Sequence, residues 1–121
     1  MTDRDLEDRL WYWQRKLRLQ DWDIKIRFVT RKEMDGKDGQ VNYHSHIKRA
    51  RIDILHPDEE RPGAVEPLDI ENTIVHELLH IHLSYFTEPY DYGSPGHLLE
   101  EQFIHVLAGV LTQKEGNETH E

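Results

Sequence analysis

The sequence predicts an α+β domain whose elements follow the order α-β-β-β-α-α. An N-terminal segment repeats apolar residues at helical spacing, and a middle segment alternates apolar and polar residues as strands do. The C-terminal half holds two more helical stretches, separated by a break that contains prolines. Because 121 residues allow one modest core, we expect residues 1–114 to form a single domain and residues 115–121 a polar tail.

The first helix is predicted over residues 3–19, and the first strand over residues 22–29. The aromatic cluster Trp11-Tyr12-Trp13 is expected to belong to the core. In the strand, apolar residues from Trp22 to Phe28 occupy every second position, which indicates that one face is buried. In the helix, four apolar residues recur at spacings of four, three and four: Leu6, Leu10, Trp13 and Leu17.

Two further strands are predicted after a glycine-rich turn at residues 35–39. The second strand is centred on Val41 and Tyr43 and extends towards Ile47, and the third covers residues 50–55. A loop rich in proline and acidic residues is expected over residues 57–67.

Asp69 is expected to cap the next helix, which covers residues 70–83 and is the most apolar stretch of the chain. Two prolines and a glycine then break the chain at residues 88–95. The last helix is predicted over residues 96–114, with four residues as its apolar stripe: Phe103, Ile104, Leu107 and Leu111.

Composition excludes several classes of function. Cysteine is absent, so disulfides and thiolate metal ligands are excluded. No apolar run approaches the roughly 18 residues of a membrane span, and no signal-peptide pattern follows Met1, so a cytoplasmic location without membrane contact is expected. The net charge of −9 argues against nucleic acid as the main partner. The charge is unevenly spread along the chain. Thirteen Lys/Arg and ten Asp/Glu precede residue 57, whereas two Lys/Arg and fourteen Asp/Glu follow it.

The most specific pattern is His76-Glu77-Leu78-Leu79-His80, which reads H-E-x-x-H within a predicted helix. Residues four apart lie on one helix face, so His76 and His80 can offer their imidazole nitrogens to one Zn²⁺. Glu77 would then lie beside the metal-bound water as a general base. Two histidines and a glutamate in a core-forming helix destabilise the fold unless they have partners, and a metal is the simplest partner.

A catalytic zinc site needs a third protein ligand. In one class of zinc peptidase a histidine stands six residues after the second motif histidine, but that position is Phe86 here. That class is therefore excluded. Four candidates remain on the predicted last helix: His97, Glu100, Glu101 and His105.

Three segments give the chain a family resemblance: residues 19–24 (LQDWDI), residues 73–80 (TIVHELLH) and residues 100–102 (EEQ). With them the chain resembles a minimal gluzincin-type zinc metallopeptidase with a zincin-like fold. It is most similar to small metallopeptidases encoded in phages and prophages. In that family the glutamate ligand is followed at +4 by a polar residue that supports the site and at +7 by a small residue. Counted from Glu101 these are His105 and Ala108, so the resemblance favours Glu101 over Glu100, although His105 replaces the usual acidic residue.

The resemblance implies a zinc-dependent peptide-bond hydrolase acting on a peptide or protein. His76, His80 and Glu101 would bind Zn²⁺, and Glu77 would activate the zinc-bound water. In zincins the substrate commonly pairs with a sheet edge beside the cleft, which we expect to be the third strand. A further group would stabilise the oxyanion, and the candidates lie between the two motif helices: Tyr85, Tyr90, Tyr92 and His97.

Other interpretations stay open. The chain could be a non-catalytic zinc-binding domain that acts as an interaction or regulatory module, although such a site does not need Glu77 as a base. A peptidase attached to DNA metabolism is permitted by the slightly basic N-terminal half. His44 and His46 share a strand face and could bind a second metal, but they lack a third ligand. His56 and His82 are expected at the surface.

Overall fold

A computed structural model describes residues 2–59, 69–87 and 92–113 of the chain. It confirms the α+β class. The predicted tail and most of the predicted loop at 57–67 lie outside the described residues. The elements are α1 (Asp3–Lys16), β1 (Asp23–Val29), α2 (Arg31–Met34), β2 (Gly39–His44), β3 (Arg49–Leu55), a 3₁₀ turn (Pro57–Glu59), α3 (Ile70–Thr87) and α4 (Pro95–Leu111).

Helix α1 begins with a capping box, in which Thr2 and Asp5 each accept a hydrogen bond from the other's backbone amide. The helix is shorter than predicted because Arg18 adopts a left-handed conformation, with φ of 61°. Leu6 and Leu10 are buried as expected. The aromatic cluster is not wholly in the core, since Trp11 and Tyr12 are exposed and only Trp13 packs inwards.

The sheet has the strand order β1-β3-β2. Strand β3 pairs in parallel with β1 and antiparallel with β2, so it is the central strand. The expectation that the third strand is a sheet edge is therefore wrong. Strand β2 is the edge that contacts α3, and it ends at His44, so Ile47 lies in the turn to β3.

One face of the sheet packs against α1 and α3 to form the main core. Ile26, Ile52 and Ile54 are buried on that face, as the alternation predicts. The helices contribute five fully or nearly fully buried side chains: Leu6, Leu10, Ile74, Leu78 and Ile81. On the α1–α3 contact, Glu71 accepts hydrogen bonds from the Arg9 Nε and Trp13 Nε1 atoms, both at 2.8 Å.

The short helix α2 was not predicted from the sequence. Its signal is a second capping box, formed by Thr30 and Glu33. Met34 buries against Val29 and Leu55 in a small separate cluster. The chain then reverses into β2 through Asp35 and Gly36, both with positive φ.

Helix α3 begins as predicted, because Asp69 Oδ1 accepts a hydrogen bond from the Asn72 amide at 3.0 Å. It extends to Thr87, one turn beyond the prediction. Ser94 caps α4, and Pro95 occupies its first turn, where a missing amide proton costs nothing.

The face of α4 that packs against α3 differs from the predicted stripe. Ile104 and Ala108 are buried there against Val75 and Leu79. Phe103 is 55 % exposed on the other side of the helix, so its assignment to the buried stripe is wrong. Leu107 is half-buried and Leu111 is exposed. Across the described ranges, no helix is both long and apolar enough to span a membrane.

Candidate metal centre

His76 and His80 lie one turn apart on the same face of α3, with ring centroids 5.2 Å apart. The helical register places them there, because Val75 and Leu79 are buried against α4 and Ile74 and Leu78 are buried against the sheet. Both imidazoles keep roughly a fifth of their side-chain surface exposed, at 21 % and 16 %. They are therefore sheltered but reachable.

Glu101 reaches the two histidines from α4. Its Oε1 atom lies 2.7 Å from His80 Nε2, and its Oε2 atom lies 3.7 Å from His76 Nε2. One ligand atom from each of the three residues falls within 4.8 Å of the other two. Packing of Ile104 and Ala108 on α3 sets this approach, since it turns the Glu101 side of the helix towards the imidazoles.

Glu100 takes a different place beside the same imidazole. It is buried, and its Oε2 atom lies 3.0 Å from His80 Nδ1. The two neighbouring carboxylates thus contact opposite nitrogens of His80. A carboxylate on the outer nitrogen fixes the ring's orientation and makes the other nitrogen a better metal ligand.

Glu77 is nearly buried, with 6 % of its surface exposed. Burial raises the pKa of its carboxyl group, although the positive charges of His80 and His76 act in the opposite direction. A raised pKa favours a group that must both accept and donate a proton near neutral pH.

Gly39 lies against Glu77 at the start of β2. A Cβ atom at this position would overlap Thr73 Cγ2 and would lie 3.2 Å from Glu77 Oε2. Only glycine lets the strand approach α3 this closely. The sequence signal is a glycine directly before a predicted strand, and the sequence alone assigns it only to the turn at residues 35–39.

The carboxylates and imidazoles of the cluster stabilise each other's charged forms. Burial opposes protonation of His80, but Glu101, Glu77 and Glu100 outweigh it and raise the pKa of His80 to about 9. The neighbouring imidazoles of His76 and His80 stabilise the ionised form of Glu101 and hold the pKa of its carboxyl group well below its usual range. The centre therefore strongly attracts positive charge, which a divalent cation can supply in place of a proton.

The remaining predicted histidines do not join this group. His105 is exposed on α4, so the supporting role expected of it falls to Glu100. His44 and His46 are exposed with rings 6.1 Å apart, and the only metal-compatible group within the described residues is the trio above. His56 is half-buried against Phe28, and His82 is exposed as expected.

The structure describes only some of the residues that were candidates for stabilising the oxyanion. Tyr90 and the side chain of Tyr85 lie outside the described residues. Tyr92 is exposed, with its ring 4.7 Å from that of His97. His97 Nδ1 accepts a hydrogen bond from the Gly93 amide at 3.0 Å, so it stabilises the turn before α4. Lys37 Nζ lies 5.6 Å from the Tyr92 ring centre, which joins the loop before β2 to that turn.

Comparisons with models of protein families, with characterised proteins and with solved structures find no match to this chain.

Proposed function

We propose that the protein is a zinc-dependent metallopeptidase of the gluzincin type, with Glu77 as its general base. One observation supports this above all others. Ligand atoms of His76, His80 and Glu101 lie within 4.8 Å of one another, beside the buried carboxylate of Glu77.

The donor set favours zinc over other divalent ions. Two imidazoles and one carboxylate, with a position left for water, are the ligands of catalytic zinc in the His₂Glu class. Magnesium and calcium prefer sites made of oxygen atoms alone. Glu100 supports the choice, because a carboxylate on the outer nitrogen of a ligand histidine is typical of zinc sites.

Zinc held by these residues would polarise the scissile carbonyl and lower the pKa of water at the site to about 7. Glu77 accepts the proton that the attacking water loses, and it delivers that proton to the leaving amine nitrogen. Its buried position suits both steps, because a carboxyl group with a raised pKa gives the proton up again. Glu100 holds the His80 ring in place throughout.

The substrate would be a peptide in an extended conformation. Strand β2 begins beside Glu77 at Gly39 and lies at the edge of the sheet formed by the described residues, where such a peptide would add as a further strand. This gives β2 the role that the sequence had suggested for β3.

Metal analysis by mass spectrometry tests the site first. We expect about one zinc per chain in the purified protein, and its loss or sharp weakening in His76→Ala and Glu101→Gln. Gln102→Ala is the matched control, because Gln102 is exposed on the same helix. Zinc that persists undiminished in Glu101→Gln would contradict this ligand set.

Hydrolysis is tested separately with a peptide library and the variant Glu77→Gln. This variant should keep its zinc and lose at least about 10²-fold in cleavage rate, since it lacks the base. If the wild-type protein binds zinc but cleaves no peptide or protein, the alternative of a non-catalytic zinc domain is correct.

A further inference from the structure

Helix α4 is apolar on two opposite sides. One side packs against α3 through Ile104 and Ala108. The opposite side carries four apolar residues that are between 55 and 67 % exposed, and we name them the outer α4 stripe: Leu99, Phe103, Val106 and Val110. At 100° per residue these four fall within an arc of about 60°. Contiguous apolar patches that stay exposed on a folded chain commonly mark contacts with another chain.

Within helix α4 itself, the side that carries the stripe has no charged residue. The only charged residues of α4 are Glu100 and Glu101, and both turn inwards to His80. Gly109 is also exposed, and a Cβ atom added there would meet no other atom within 4 Å. A glycine within a helix destabilises it by about 1 kcal/mol relative to alanine, and it allows another helix to approach closely. The stripe side of α4 therefore offers no charged group that could form an ion pair with a highly charged partner.

Residues 112–121, which directly follow α4, contain no aliphatic or aromatic side chain that could cover the stripe. An apolar helix face of comparable length matches the stripe, and a second copy of α4 has that face.

We propose that two copies of this chain form a dimer in which their α4 helices pack antiparallel through the outer α4 stripe. The residue spacings of four, three and four read the same in both directions. In an antiparallel pair Leu99 therefore faces Val110 of the other copy, and Phe103 faces Val106. Each pair sets a large side chain against a smaller one, which favours interdigitation.

The area is sufficient for a weak but specific dimer. The four stripe residues offer roughly 400 Å² of apolar surface per chain, so with flanking atoms a pair buries about 1,000 Å². That is the lower limit of specific interfaces. We therefore expect a weak dimer, with a dissociation constant of about 1–100 µM. Each chain carries a net charge of −9, so added salt should strengthen the dimer by screening repulsion.

Analytical ultracentrifugation of the full chain between about 1 and 200 µM tests the proposal. We expect a monomer–dimer equilibrium that Val106→Glu and Phe103→Ser each weaken at least about 30-fold. Ile47→Glu is the control, because Ile47 is 52 % exposed in the β2–β3 turn, far along the chain from α4. Far-UV circular dichroism checks that each variant is folded. If Val106→Glu does not fold, the milder Phe103→Ser provides the test.

Cysteine cross-linking tests the antiparallel arrangement, since the natural chain has no cysteine. Leu99→Cys combined with Val110→Cys should form an intermolecular disulfide, whereas Leu99→Cys alone should not. A wild-type monomer at 200 µM would overturn the proposal, and would mean that another protein or another segment covers the stripe. A dimer that Val106→Glu leaves intact, or efficient cross-linking of Leu99→Cys alone, would overturn it as well.

Discussion

The carboxylate of Glu100 lies 3.0 Å from Nδ1 of His80, on the side of the ring opposite Glu101. Two consecutive glutamates of one helix thus contact both nitrogens of a single imidazole. Their side chains leave the helix about 100° apart, and the His80 ring lies between them. Glu101 is therefore placed to bind a metal together with the histidines, whereas Glu100 is placed to orient the His80 ring.

Replacing Glu100 should therefore weaken metal binding without abolishing it. Glu100→Ala removes the group that fixes the His80 ring, so we expect zinc affinity to fall about 10- to 100-fold. Glu101→Ala should cost more, since it removes a ligand. Competition with a chromophoric chelator measures both, with Gln102→Ala as control. Equal losses in the two glutamate variants would contradict the division of roles.

Gly39→Ala should destabilise the protein because its Cβ overlaps Thr73 Cγ2 and crowds Glu77. We expect a loss of about 1–3 kcal/mol in the free energy of unfolding, measured by urea denaturation. Thr73→Ser removes the obstructing methyl group and keeps the hydroxyl that donates to the Asp69 carbonyl at 2.8 Å.

A double-mutant cycle of Gly39→Ala and Thr73→Ser therefore isolates the steric cause. The glycine substitution should cost at least about 1 kcal/mol less in the Thr73→Ser background than in the wild type. An unchanged cost would mean that the glycine matters for another reason.

Metal-free protein should lose stability as the pH rises. The pKa of His80 is raised from 6.5 to about 9, so the stabilisation from its charged form is complete below pH 6.5 and disappears as the pH passes through 9. We expect the free energy of unfolding of chelator-treated protein to fall by up to about 3 kcal/mol across this range. His80→Gln should abolish the decrease and His44→Gln should retain it.

Zinc binding should show the opposite dependence on pH. A ligand histidine must be neutral, so binding displaces the proton from His80. Zinc affinity should therefore rise between pH 6.5 and 9, by up to about tenfold per pH unit. Titration calorimetry in buffers of different ionisation enthalpy counts the released proton, and no proton release at pH 7 would contradict the prediction.

The ionised carboxylate of Asp53 should contribute to the free energy of unfolding, and this contribution should disappear at acid pH. Burial tends to raise the pKa of its carboxyl group, but hydrogen bonds from Arg27 and Gln40 outweigh this and lower it. The stabilisation is thus present above the unfolded pKa of about 3.9 and is lost as the pH falls through the folded value.

Asp53→Asn should therefore cost about 2 kcal/mol at pH 7, and the difference from wild type should shrink below pH 4. Asp23→Asn is the control in the same sheet, because Asp23 is exposed and its Oδ1 atom lies 3.7 Å from Nζ of the exposed Lys25. Thermal unfolding followed by circular dichroism from pH 2 to 7 measures both variants. A constant difference over this range would contradict the charge argument.

The sequence by itself determined the local features of this protein. Helix periodicity places His76 and His80 on one face, and Asp69 starts their helix, because both depend on residues within four positions of each other. Alternation likewise identifies the inward residues of β1 and β3, since the side-chain period of a strand is two.

Only the tertiary structure decided which distant groups meet. Alternation is the same in a central and an edge strand, so it could not show that β3 lies in the middle of the sheet. Periodicity could not choose between Glu100 and Glu101, because the choice depends on how α4 packs against α3. For the same reason the sequence places Phe103 in the core, since an apolar residue in a helical pattern looks alike whether it is buried or exposed. The contact of Gly39 with Glu77 joins residues 38 positions apart, and no local pattern encodes such a distance.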